Sequence, residues 1–197
     1  MSAIVLITAF GPFPGVPRNP SAEAAMRLAQ LRRPALADVK REVLLLATEW
    51  RALEGLKARI RASRPDAVLL LGVAPRRRRI EVEGRATNLV RGIDAAGVRP
   101  AGPTLDPDGA DVLGLSGGQA RLLHALRARG LAAGLSRDAG RYLCNAAYYT
   151  ALACGGETPT VFVHLPGRGP VARIDPDRRA RALSDLLLAL LAERRSR

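Results

Sequence analysis

Continuous apolar runs alternate along the chain with stretches whose apolar residues return every three or four positions. Residues 4–9, 67–73 and 160–164 are short apolar runs of strand length, apolar on both faces. Residues 39–47 and 131–135 are further strand candidates. Between them lie helical patterns. Pro20 fits the first turn of a helix capped by Asn19 and running to about residue 31. Over residues 49–62, Trp50, Leu53, Leu56 and Ile60 fall on one face. Ser116 and Gln119 read as a capping box ahead of Leu122, Leu123 and Leu126, with Gly130 closing that helix. An alanine-rich segment, residues 146–153, is stopped by Gly155 and Gly156. Asp175 caps a last helix that opens on Pro176 and extends to about residue 193. Residues 74–115 carry neither period and are rich in Gly, Pro and Arg, so they read as irregular.

Strands that alternate with helices and are apolar on both faces predict one α/β domain over residues 1–197, with a largely parallel sheet covered on both sides. Active sites in such folds occupy loops beyond the carboxyl ends of strands. Residues 10–19, 74–100, 136–145 and 165–175 are therefore the loops in which to seek chemistry.

The chain has 197 residues, 48% of them hydrophobic, which suits one domain with a real core. Its formal charge of +13 is almost all arginine, because Lys40 and Lys57 are the only lysines. A basic chain raises nucleic acid as a partner. The charge is scattered, however, and aromatics make up only 4% of the residues, so no stacking platform forms and nucleic acid is not the expected partner. Two histidines and two cysteines, far apart, make no metal-binding spacing. No run of 18 apolar residues is present to span a membrane. The apolar start lacks a basic leader and reads as a strand rather than a signal peptide, and unpaired cysteines fit a reducing cytoplasm.

Cys144 lies between a polar loop and the alanine-rich helix. Unpaired backbone N–H groups and the positive end of the helix dipole would favour its thiolate and stabilise a developing oxyanion. Cys154, at the far end of the same helix, reads as core. A cysteine nucleophile needs a base, and His164, at the end of "TVFVH", can project from a strand end into the same cleft; His124, in mid-helix, reads as structural or surface. The acceptor that orients the imidazole stays open on pattern alone among Glu81, Glu83, Asp94, Asp138 and Asp175. The consecutive Arg76, Arg77, Arg78 and Arg79 read as solvated loop residues, or as a site for an acidic group or RNA. Phe10 and Phe13, two of very few aromatics, either line an apolar slot for a small flat ring or anchor their loop in the core.

These segments together resemble the pyroglutamyl-peptidase I (pyrrolidone-carboxylate peptidase) family of cysteine peptidases. "ITAFGPFPGVPRNPS" is similar to that family's opening segment, "AGRYLCNAAYY" to its nucleophile segment, "VFVHLP" to its histidine segment and "IEVEGRATN" to its glutamate segment. The register of the last selects Glu83 over Glu81. The resemblance implies a Cys144–His164–Glu83 triad, substrate-pocket aromatics at Phe10 and Phe13, and the family's asparagine at Asn19. It also implies an α/β/α sandwich, a cytoplasmic homodimer or homotetramer, no metal or cofactor, and removal of N-terminal pyroglutamate (5-oxoproline) from peptides through an acyl-enzyme. Departures from the family pattern fall at "GVAPRRRR", at Gly84 between Glu83 and Arg85, and across residues 91–100. They leave two competing readings: a related lactam or amide hydrolase with an altered pocket, and a basic binding protein that keeps the triad without fast turnover.

Overall fold

The computed structural model describes residues 2–12, 19–115, 117–167 and 169–195. Its centre is a six-stranded sheet in the order β2-β1-β3-β8-β4-β7. The strands are β1 (Ala3–Phe10), β2 (Val39–Leu46), β3 (Ala67–Ala74), β4 (Ile80–Glu83), β7 (Ala133–Ser136) and β8 (Thr160–Pro166). β2, β1, β3 and β8 run parallel; β4 pairs antiparallel with β8 and parallel with β7. The sheet is thus largely parallel, as its doubly apolar strands require. A small antiparallel pair, β5 (Arg85–Thr87) and β6 (Val112–Gly114), stands apart from it.

Side chains that alternate along each strand feed two cores. Val5, Ile7, Leu69, Leu71, Val161 and Val163 point to one face, where they meet α1 (Pro20–Gln30), α3 (Gln119–Arg127) and α5 (Pro176–Arg195). Leu6, Phe10, Val68, Leu70 and Phe162 point to the other, against α2 (Ala52–Ser63) and α4 (Leu143–Gly155). Leu69 is fully buried, so Leu69→Ala should cost about 2–5 kcal/mol.

Helix chemistry follows the sequence at most ends. The Asn19 side chain accepts from the backbone N–H of Ser21 and Pro20 opens α1. The Arg178 N–H donates to Asp175 Oδ1 at 2.8 Å, ahead of α5. Three expectations change. Residues 74–115 are not uniformly irregular: β4, β5 and β6 lie within them, each only three or four residues long, too short for a period to show. α2 starts at Ala52, after a turn that holds Trp50. α4 starts at Leu143, so Cys144 lies inside its first turn rather than ahead of it. Ser116, half of the expected capping box, lies outside the described residues. Gly118, at φ +74°, is the N-cap of α3, and Gln119 Nε2 donates to the Leu115 carbonyl.

Candidate active site

Four segments converge on the face of the sheet covered by α4. Gly72 of β3 is the register partner of His164 on β8. A Cβ on Gly72 would stand 3.1 Å from Cys144 Sγ and 2.7 Å from Phe162 Cζ. The sulfur therefore rests directly over Gly72, and only glycine leaves room for it there. His164 follows Phe162 by two residues, so both side chains share this face, their rings 4.7 Å apart. The sequence "LLLGV" thereby seats the first turn of α4 against the strand that carries His164.

The imidazole is almost fully buried, and its Nδ1 lies 2.7 Å from Glu83 Oε1. Glu83 is completely buried. Glu81, two residues earlier on the same face of β4, is the register partner of His164, yet it turns toward Arg77 and Arg79. Of the five acceptors open on pattern alone, the structure brings Glu83 to the imidazole. Asp94 instead accepts from the N–H groups of Trp50, Ala96 and Val98. Asp175 caps α5, and Asp138 Oδ1 holds the Gly140 N–H.

Arg77 corrects the reading of residues 76–79 as solvated. Its Nη1 lies 2.6 Å from Glu83 Oε1 and also pairs with Glu81, and its Nη2 donates to the Asp138 carbonyl at 2.6 Å. One guanidinium thus offsets two neighbouring carboxylates. Burial pushes the Glu83 carboxyl up. The bond to His164, the nearby Ser136 hydroxyl and the charges of His164 and Arg77 outweigh that, so its pKa falls below the usual carboxylate range. Glu83 Oε2 makes no hydrogen bond of normal geometry among the described residues, the Ser136 hydroxyl lying toward the Asp138 carbonyl at 3.4 Å.

The expected thiolate at Cys144 is reversed. Burial, and then the Glu83 charge, push its thiol up to about 12, against a smaller opposing effect of Arg77. The helix start still contributes N–H groups: Tyr142 caps α4 without a side-chain bond, and the amides of Leu143, Cys144 and Asn145 have no carbonyl one turn earlier.

Two residues that sequence reasoning passed over hold this arrangement. Tyr148, one turn after Cys144 and fully buried, donates its hydroxyl to the Glu83 carbonyl at 3.0 Å. It ties the helix of Cys144 to the strand of Glu83. Asn145, also fully buried, accepts from the Thr87 N–H at 2.8 Å and donates to the carbonyls of Thr87 and Leu89 at 2.8 and 3.2 Å. It fastens β5 to the start of α4. The fourfold spacing of Cys144 and Tyr148, which puts both on one face of a helix, was the available signal for Tyr148. A buried asparagine next to a cysteine gives none.

Phe10 is buried in the core that Cys144 borders, at the end of β1. Phe13 lies outside the described residues. Asn19 is buried, its Nδ2 donating to the Gly11 carbonyl at 3.1 Å and its Oδ1 accepting from the N–H and hydroxyl of Ser21. Both of its polar ends are therefore engaged in joining the two sides of the loop after β1. Cys154, expected in the core, is half-buried at the far end of α4 and packs against the core's margin, and His124 is exposed on α3, as its sequence position suggested.

A thiol in the first turn of a helix, packed over Gly72, whose register partner is a carboxylate-bound histidine, on an α/β/α scaffold is an arrangement that suits a cysteine peptidase. A family model described as pyroglutamyl peptidase matches residues 3–180. A pyrrolidone-carboxylate peptidase of Chromobacterium violaceum is 34% identical over 189 residues, which cover 94% of this chain and 88% of that protein. One from Thermococcus onnurineus is 35% identical over 169 residues, 82% of each chain. The crystal structure of pyroglutamyl peptidase I from Bacillus amyloliquefaciens superposes with a TM-score of 0.83 at 25% identity, over 98% of both chains. A mutant pyrrolidone carboxyl peptidase from Pyrococcus furiosus shares the fold, with a TM-score of 0.85. The chain belongs to the pyroglutamyl peptidase family.

No helix among the described residues is long and apolar enough to cross a membrane.

Proposed function

We propose that the protein is a cysteine exopeptidase that removes N-terminal pyroglutamate from peptides through Cys144, His164 and Glu83. The observation that carries this reading is the 2.7 Å contact of His164 Nδ1 with Glu83. It fixes the tautomer with the proton on Nδ1 and leaves Nε2 as the base.

With the thiol pushed up by burial, its ionisation is coupled to attack. His164 Nε2 takes the Cys144 proton as Sγ bonds to the exocyclic carbonyl carbon of the pyroglutamyl residue. The unpaired amides at the start of α4 stabilise the oxyanion. As the C–N bond breaks, the imidazolium returns the proton to the leaving amine, and a thioester remains on Cys144. Water then attacks that thioester, giving its proton to His164. The free acid departs and the thiol regains its proton. Glu83, ionised and held by Arg77, stabilises the imidazolium in both halves. Pyroglutamate has no charged amine, only a flat lactam, and Phe10 at the end of β1 supplies apolar surface for it. In this role Asn19 shapes the loop by holding Gly11 to the start of α1. The family resemblance favours action as a homodimer or homotetramer in the cytoplasm.

Pyroglutamyl chloromethyl ketone tests the assignment. Alkylation mapped to Cys144, and slowed at least tenfold for the prolyl analogue that lacks the lactam carbonyl, is the expected result; at 1.4 kcal/mol per tenfold that is about one hydrogen bond. Labelling at Cys154 instead, or equal rates for the two reagents, would overturn it.

A further inference from the structure

A second feature flanks the start of α4. A cavity of about 480 Å³ is lined by Arg85, Thr87, Arg91, Arg137, Gly140 and Arg141, with Asp138 as its only acidic residue. The four arginines are exposed, and none makes an ion pair with a carboxylate among the described residues. The cavity wall is pinned: the Arg85 side chain donates through Nε to the Arg137 carbonyl at 2.8 Å, the Arg91 N–H to the Arg141 carbonyl at 2.8 Å, and Arg77 Nη2 to the Asp138 carbonyl. Several guanidiniums facing one concave, braced space, with one carboxylate to balance them, favour an anionic ligand there.

The position relative to the sulfur sets which anion. Thr87 lines the cavity and is bonded to Asn145, the residue after Cys144. Arg141 precedes Cys144 by three residues. Across the sheet, Phe10 lies on β1, Cys144 rests over β3 and beside β8, and Arg137 follows β7 at the opposite edge. A substrate whose acyl ring lies on the Phe10 side of Cys144 extends its leaving portion toward the arginines.

Building on the peptidase reading above, we infer that Arg137 and Arg141, with Arg85 and Arg91 around them, form a subsite for a carboxylate on the leaving peptide. The protein then favours pyroglutamyl peptides with an acidic residue shortly after the scissile bond. This moves the preference for acidic groups away from residues 76–79, where Arg77 is committed to Glu81 and Glu83.

The test is equilibrium binding of two amidated peptides, pyroglutamyl-alanyl-aspartate and pyroglutamyl-alanyl-asparagine, to Cys144→Ala protein. The same titrations are run with Arg137→Gln and Arg141→Gln added. Those side chains make none of the pinning bonds, which come from their backbones, so the double change should leave the loop in place. The aspartyl peptide should bind about fivefold more tightly, the equivalent of about 1 kcal/mol. That ratio should fall toward one in the double variant and at about 0.5 M salt. Equal affinity for the two peptides, or a ratio that survives the double change, would overturn the subsite. Turnover of pyroglutamyl-aminomethylcoumarin, which carries no carboxylate, reads the peptidase reading separately. Aspartyl selectivity in binding without that turnover would remove the peptidase and keep the subsite.

Discussion

His164 and Glu83 meet through Nδ1 and Oε1 at 2.7 Å, 81 residues apart and on strands that run in opposite directions. The antiparallel placement of β4 in an otherwise parallel neighbourhood is what brings a strand-borne carboxylate, and not a loop residue, under the imidazole. Glu83→Gln keeps the shape and removes the charge. On the proposed mechanism it should lower kcat by about 10²–10⁴, as losing the orienting carboxylate does in related triads, while KM changes little. Stopped-assay kinetics check this.

The same carboxylate ties stability to pH. Its folded pKa lies below the usual carboxylate range, so it contributes stability that is present above the unfolded carboxylate pKa of about 4 and is lost as pH falls through the lowered folded value. Urea denaturation of the wild type should therefore weaken in this window. Glu83→Gln should show a flatter acid limb; an unchanged slope would remove Glu83 as its source.

Cys144 titrates in the opposite sense. With its thiol pushed up to about 12, iodoacetamide alkylation should climb by about tenfold per pH unit from 7 to 10. A plateau near neutrality would indicate a resting thiolate–imidazolium pair. Burial of the neutral thiol also contributes stability that is full below the ordinary thiol pKa and is lost as pH rises toward 12.

Gly72→Ala places a methyl group against Phe162 Cζ and Cys144 Sγ. Gly72 does not have positive φ, so the cost is overpacking, about 1–3 kcal/mol by denaturant unfolding. Because the sulfur is one of the two atoms displaced, kcat should fall more than a remote variant of equal stability loss would show.

Tyr148→Phe removes only the hydroxyl that donates to the Glu83 carbonyl at 3.0 Å. The buried carbonyl loses a partner, at a cost of about 1–3 kcal/mol. Asn145→Ala strips partners from the Thr87 N–H and from two carbonyls at once and should cost more. Comparing the two by urea denaturation ranks the anchors of α4.

Much of this site was legible because its chemistry coincides with strong local signals. Asn19 with Pro20, and Asp175 with Pro176, mark helix starts by side-chain capping that needs no tertiary context. The apolar runs of β1, β3 and β8 can fit only a sheet covered on both faces. Cys144 lies in the first turn of a helix, and His164 lies inside β8, two residues short of its end. What escaped depends on pairing across the chain. β4 is four residues long, and its direction is set by β8, not by its own sequence. The inward turn of Arg77 follows from the position of Glu81 and Glu83 after folding, which a run of four arginines does not disclose. The sign of the Cys144 shift was missed because the helix dipole is readable from sequence, whereas the burial that outweighs it is a property of the packed core.

The most direct test of the central claim is release of aminomethylcoumarin from its pyroglutamyl amide, by wild type and Cys144→Ala side by side under reducing conditions, with circular dichroism confirming that both are folded. Turnover by the wild type and none by the variant is the predicted result. Turnover that persists in Cys144→Ala, or is absent from folded wild type, would contradict it.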